Sequence, residues 1–319
     1  MQEELSPVEH ENVKLKRQRQ AMLNVITTMT KWISAAKDIT RGPGSILHSA
    51  SNMSLHLVTL SALNPDCRRH GLDWLTQILF QNTNAFLMRY AMEAQPPNCV
   101  YGDFHVDVSD LKNVQHIFQA QVDIPYDMDT VVDPVRVHVV DRLSALDVYA
   151  KSVTPIDPEI VQRVSPLMKY QRRVSQTGAA TWAMNVLYRE FQEPNRVTFV
   201  GQSVEDDKFE RVPFSKRKSM TWVVVTRLGP SMTRVTFMSL SSLEYNDNIF
   251  RSLEDQARSY GFHLDGNDPM IAEKYASSMK VVGDPGVATY TAYLANVVQA
   301  SKEREKAKDQ EDFLSLFLQ

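Results

Sequence analysis

The chain has 319 residues, 43% of them apolar and 23% charged, with a formal net charge of −3. That composition fits an ordinary globular protein, and the slightly acidic balance argues against unspecific nucleic-acid binding, which requires a basic face. No apolar run approaches the length of a spanning helix, and two cysteines, Cys67 and Cys99, outside any metal-ligand spacing, imply neither structural zinc nor a disulfide framework.

The first residues, Met1 to Pro7, lack a basic stretch followed by an apolar core, so the expectation is a cytoplasmic, or nuclear, location. Residues 7–37 carry Val13, Met22, Val25, Ile26, Met29, Trp32 and Ile33 at helical steps behind a basic cluster of Lys14, Lys16, Arg17 and Arg19. This pattern predicts a helix that docks on its own domain or on a protein partner through residues 10–37. Sustained heptads are absent, so no zipper is predicted. Arg41-Gly42-Pro43-Gly44-Ser45 breaks the chain, and residues 1–65 are read as an N-terminal helical extension and linker.

Residues 71–93 predict an amphipathic helix, interrupted near Asn82-Thr83-Asn84. From Cys99 to Val108 the residues alternate, with Val100, Gly102, Phe104, Val106 and Val108 on one side and Tyr101, Asp103, His105 and Asp107 on the other, as in a half-buried strand. A second strand is expected over 114–124, a helix over 127–149 with Pro134 near its start, and a crossover over 152–178 that contains a short helix over 158–168. Two hairpins follow, Trp182 to Glu205 turning at Glu193-Pro194-Asn195-Arg196, and Ser219 to Tyr245 turning at Leu228-Gly229-Pro230-Ser231. A short helix over 249–260 precedes a long terminal helix expected from Pro285 or Ala288 to Lys308, and 309–319 form an apolar tail. Segregated strands closed by helices predict an α+β domain over 66–308, built as a curved antiparallel sheet packed on the long C-terminal helix.

The strand pair from Trp182 to Ser203, with Arg189 in its first strand and the acidic turn at Glu193, resembles the helix-grip fold of the StAR-related lipid-transfer (START) superfamily. More specifically it is similar to START-like proteins of oomycetes, in which Glu11-Asn12-Val13-Lys14-Leu15-Lys16 also has a counterpart. The resemblance implies a hydrophobic tunnel, a lipid or sterol-like ligand, transient membrane contact and no cofactor. The N-terminal helix is too short for a basic region plus zipper, which argues against DNA binding.

A lipid pocket needs an apolar lining with a few converging polar groups. Period-two reading places Val197 and Phe199, Trp222 and Val224, and Val235 and Phe237 toward the closing helix, opposite Tyr290, Tyr293, Leu294 and Val297. The same residues would serve equally well in a closed core. Arg189 and Arg234 fall on the other parity, facing solvent; a one-residue slip would turn either inward as a head-group anchor. His105 with Asp103 and Asp107 forms a polar row that a solvated strand face explains. Ser239, Ser241 and Ser242 lack a nucleophile-elbow context, and no glycine-rich phosphate loop is present, so no catalytic role is assigned. The reading is therefore a non-enzymatic lipid binder for transfer or sensing; the alternatives are a regulatory protein that uses the basic N-terminal helix and keeps a ligand-free core, and a hydrolase or cyclase on the same fold supported only by the His105 row.

Overall fold

The computed structural model describes residues 15, 19, 65–90, 92, 98, 100–111, 113–142, 150–177, 180–204, 216–246 and 249–303. The partner segment 10–37, save Leu15 and Arg19, and the apolar tail 309–319 lie outside these residues. In chain order the elements are α1 (Pro65–Gln81), α2 (Thr83–Arg89), β1 (Val100–Asp107), β2 (Gln115–Ile124), α3 (Met128–Arg142), β3 (Ala150–Pro155), α4 (Pro158–Val164) and β4 (Met168–Thr177). They continue with β5 (Ala180–Glu193), β6 (Arg196–Ser203), β7 (Lys216–Gly229), β8 (Met232–Asn246), β9 (Ile249–Phe250), α5 (Leu253–Ser259) and α6 (Ile271–Ala295).

The strands form one antiparallel sheet in the order β1-β2-β8-β7-β6-β5-β4-β3, with β9 added to β8. Both expected hairpins are present: Glu193 pairs with Arg196, and Gly229 with Met232 across its turn. The curved sheet grips α6, which lies across β1 and β2. The α+β helix-grip architecture is thus the observed one.

The sheet is covered on both faces. On the inner face α6 and α3 close over an apolar cluster that includes Phe118, Val122, Val197, Phe199, Val223, Val225, Val235 and Phe237. On the outer face α1 and α2 cover Ile117, Val200, Met220, Trp222, Val224, Met238 and Leu240, while α1 and α4 cover Tyr170 and Leu187. This double cover explains the burial of β6, where Val197 through Ser203 are all buried. Strands buried on both sides carry apolar residues at every position, so alternation no longer says which side faces which helix.

Three expected elements differ. The terminal helix begins at Ile271 rather than near Pro285 and runs through Gly283-Asp284-Pro285-Gly286. Proline removes one backbone donor there, and packing on β1 sustains the helix: Gly283 sits against the Phe104 ring, with no room for a side chain between them. Residues 168–177, read as part of a crossover, form β4, and 150–155 form the edge strand β3. β4 carries Lys169, Gln171, Arg172 and Arg173, too polar for a strand pattern, yet Met168 and Tyr170 are buried under α4. The first helix is shifted, with α1 starting at Pro65 and α2 ending at Arg89, and it divides at Asn82, the expected interruption.

Candidate functional site

The inner face is organised in rows that run across the strands. One row is Gln192, Val197, Val225, Val235 and Val122; the next is Glu190, Phe199, Val223, Phe237, Ala120 and Gly102. These two rows are apolar over most of their length. α3 covers their end with Met128, Val131, Val132 and Val135, and the second half of α6 adds Val287, Tyr290, Leu294 and Val297. Tyr290 meets Phe118 edge-on at 5.6 Å and lies 4.5 Å from the Phe237 ring. Such aromatic contacts orient the rings as well as burying them.

The following two rows change character. They read Tyr188, Gly201, Thr221, Ser239 and Phe118, then Val186, Ser203, Ser219, Ser241 and His116. A side chain at Gly201 would begin 2.5 Å from the Tyr188 ring, so the ring lies flat across β6. Thr221 Oγ1 and Ser239 Oγ share a hydrogen bond of 3.3 Å, and Ser203 Oγ accepts from the Ser219 N–H at 2.9 Å. Ser219, Ser239 and Ser241 remain half-buried, although they occupy central strands flanked by buried residues. Solvent therefore reaches the sheet here, away from β1 and β2, against which α6 mainly packs.

His116 ends the last row. Its ring meets Tyr275 Oη of α6 through Nε2 at 2.8 Å and stacks on Phe104 at 6.1 Å. Burial lowers its pKa to about 3, helped by the nearby Arg217 charge and opposed by the Ser242 backbone beside the ring, so the imidazole is neutral. Nδ1, also buried, makes no well-formed hydrogen bond. Tyr275 is pushed up by burial, so its hydroxyl stays protonated.

The charges nearest the apolar rows are paired. Arg136 of α3 donates to Glu190 through Nε at 2.6 Å and Nη2 at 2.8 Å, and Gln192 Nε2 donates to the same carboxylate at 2.6 Å. The Glu190 side chain is only 3% exposed. Burial acts to raise its pKa, but the Arg136 and Gln192 hydrogen bonds outweigh it and hold the group below the usual carboxylate value. Arg173, on the inner side of β4, packs its guanidinium 5.5 Å from the Tyr188 ring centre and is buried.

Of the residues read from the sequence as a lining, Val197, Phe199, Val235, Phe237, Tyr290, Leu294 and Val297 meet in the inner cluster, and Tyr293 packs partly buried against it. Trp222 and Val224 do not: they point to the outer layer, where Trp222 stacks on Phe86 at 3.9 Å and donates to the Leu79 carbonyl at 3.1 Å. Their neighbours Val223 and Val225 take the inner positions. Arg189 and Arg234 are also outward, but protein rather than water receives them. Arg189 is held by Asp73 and Thr76 of α1 over the Phe191 ring, and Arg234 makes a two-pronged pair with the buried Asp123 at 2.7 and 2.9 Å. Neither faces the inner cluster. His105 pairs with Asp103 at 3.0 Å on the rim of β1, where Lys280 joins both Asp103 and the Phe104 carbonyl. No cluster of metal-ligating side chains occurs among the described residues.

The hydroxyl floor, Tyr188, His116 and the Arg136–Glu190 pair were not foreseen as site residues. The available signal was the coincidence of Gly201/Ser203, Ser219/Thr221 and Ser239/Ser241, small residues spaced by two in three consecutive strands.

No family model and no curated protein matches the chain. Among solved structures it is similar to human STARD10, at 9% identity and a TM-score of 0.43, over 69% of this chain and 81% of that one. It is also similar to the lipid transfer and protein localization domain of human StarD13 (DLC2), at 15% identity and a TM-score of 0.34, over 63% and 95% of the two chains. A third is the ZhuI aromatase/cyclase from Streptomyces sp. R1128, at 10% identity and a TM-score of 0.32, over 60% and 94%.

Proposed function

We propose that the hollow between the sheet and α6 binds an apolar small molecule of lipid type, and that the protein carries or senses this molecule without transforming it. The observation that carries the reading is the half-buried state of Ser219, Ser239 and Ser241 in the middle of a sheet whose neighbouring inner residues are buried. A strand centre that solvent reaches, walled by Phe118, Tyr188 and Tyr290, combines apolar walls with converging polar groups, the usual composition of a small-molecule site. Apolar ligand surface placed there leaves water at about 25 cal/mol per Å².

The test is native mass spectrometry of the purified protein together with the variant Ser241→Phe, which places a ring in the accessible part of the floor. The expected result is a co-purified lipid-sized adduct on the parent protein and its loss from a folded Ser241→Phe variant. A parent protein that neither carries an adduct nor takes up any of a broad lipid panel would overturn the reading.

A further inference from the structure

We infer that the hollow selects an apolar ligand ending in a neutral hydroxyl group, and that Thr221, Ser239, Ser241 and His116 read that group. The inference rests on the lipid-binding reading above and names the chemical class within it.

Two independent features point to the hydroxyl. The first is the floor, where the groups that solvent reaches are themselves hydroxyls, each able to donate and to accept. The Thr221–Ser239 hydrogen bond works in either direction, so the pair can turn to meet a donor or an acceptor. The second is His116, buried at the end of the row that contains Ser241, with Nδ1 lacking a well-formed hydrogen bond. A neutral imidazole carries one proton. If Tyr275 donates to Nε2, the proton sits on Nδ1, and the Ser242 backbone beside the ring offers it no well-formed partner, so a further acceptor completes it; if Nε2 donates to Tyr275, Nδ1 needs a donor. A ligand hydroxyl satisfies either tautomer, whereas a carboxylate satisfies one and an ammonium only the other.

Charge points the same way. Glu190 is matched by Arg136 and Gln192, the Arg217 charge near His116 is matched by Glu244, and the imidazole is neutral, so the floor itself offers no unmatched charge to a ligand. A charged head group moved from water onto neutral hydroxyls loses hydration that these groups replace only in part. Arg173 is the cation on this face nearest Tyr188, but it is buried against that ring, whereas Ser239 and Ser241 are within reach of solvent.

The experiment uses a matched pair of probes, oleyl alcohol and oleate at pH 8, with 1-octadecene as the headless reference, each displacing the neutral dye Nile red from the full-length protein. The expected result is that the alcohol binds at least about tenfold more tightly than oleate, a difference of about 1.4 kcal/mol. In the double variant Thr221→Val/Ser239→Ala the alcohol falls to the affinity of octadecene, while octadecene itself is unchanged. Ser241→Ala, a milder change, provides the same comparison if the double variant does not fold. Oleate binding as tightly as the alcohol overturns the inference and shifts the head group toward Arg173. An alcohol preference that survives both sets of substitutions overturns the role of the floor. Failure of all three probes and of the dye to bind the parent protein overturns the lipid-binding reading itself.

Discussion

Gly102 of β1 lies directly beneath Val287 of α6, so closely that a methyl group on Gly102 would overlap Val287 Cγ1 and touch Thr291 Cγ2 at 3.0 Å. This contact sets the distance between the gripping helix and the sheet edge. Gly102→Ala is therefore expected to push the helix outward and destabilise the protein by about 1–3 kcal/mol in urea unfolding. Gly286→Ala is the internal contrast. Nothing lies within 4 Å of that position, so the substitution is expected to be neutral or to stabilise by up to about 1 kcal/mol. Equal effects at the two glycines would show that the close approach does not set the helix position.

His116 predicts a specific acid response. Its folded pKa, lowered to about 3, lies below the value near 6.5 that the unfolded chain would show, so between those limits the unfolded state binds more protons. Stability is complete above about pH 6.5 and falls as pH drops toward 3, with a slope approaching about 1.4 kcal/mol per pH unit from this group. Replacing the ring with an apolar one in His116→Phe should flatten that slope between pH 6 and 4, while Tyr275→Phe should cost about 1 kcal/mol and leave it in place. An unchanged slope in His116→Phe would assign the acid response to other groups.

The Arg136–Glu190 pair ties α3 to the inner face, and the two partners are not equivalent. Arg136→Met leaves a buried carboxylate without its cation and is expected to cost about 1–3 kcal/mol at pH 7, below the usual figure for buried pairs because Arg136 is one-third exposed. Glu190→Gln keeps a hydrogen-bonding group and should cost less. The sign with pH differs as well. In the parent protein the lowered Glu190 pKa contributes stability above the usual carboxylate value, and this is lost as pH falls through the folded value. In Arg136→Met burial is opposed only by the Gln192 hydrogen bond, the pKa rises, and the variant should gain stability relative to the parent on acidification. Thermal melts at pH 7 and pH 5 measure both effects.

Trp222 separates fold from site. It belongs to the layer beneath α1 and α2, stacked on Phe86 and hydrogen-bonded to Leu79. Trp222→Ala is expected to cost about 3–5 kcal/mol, whereas Trp222→Phe should cost less and leave lipid affinity unchanged at low temperature. A change in ligand selectivity in folded Trp222→Phe would place the hollow on the other side of the sheet.

Much of the architecture was legible in the sequence because local chemistry dictates it. The turns at Pro194-Asn195 and Pro230-Ser231 pair their flanking strands whatever surrounds them, and the alternation from Val100 to Asp107 identifies a strand, although Val106 alone of its residues is buried. The inner positions of Val197, Phe199, Val235 and Phe237 follow from the same alternation. Trp222 and Val224 escaped it because both faces of β7 are buried and every residue from Met220 to Val225 suits either layer. The β4 strand escaped for the opposite reason, since its polar residues hide a role that depends on cover from α4.

The amino-acid sequence alone therefore determined the α+β class, the strand pairs and most of the apolar inner wall, since hydrophobic period and turn chemistry act over a few residues. Tertiary structure alone decided which face of each doubly covered strand meets α6, where α6 begins, and how Ser219, Ser239, Ser241 and His116 come to share one floor. Those relations join residues more than a hundred positions apart, as His116 and Tyr275 are, separated by 159. They depend on strand register and on the close fit between helix and sheet at Gly102 and Gly283, neither of which leaves a periodic trace along the chain.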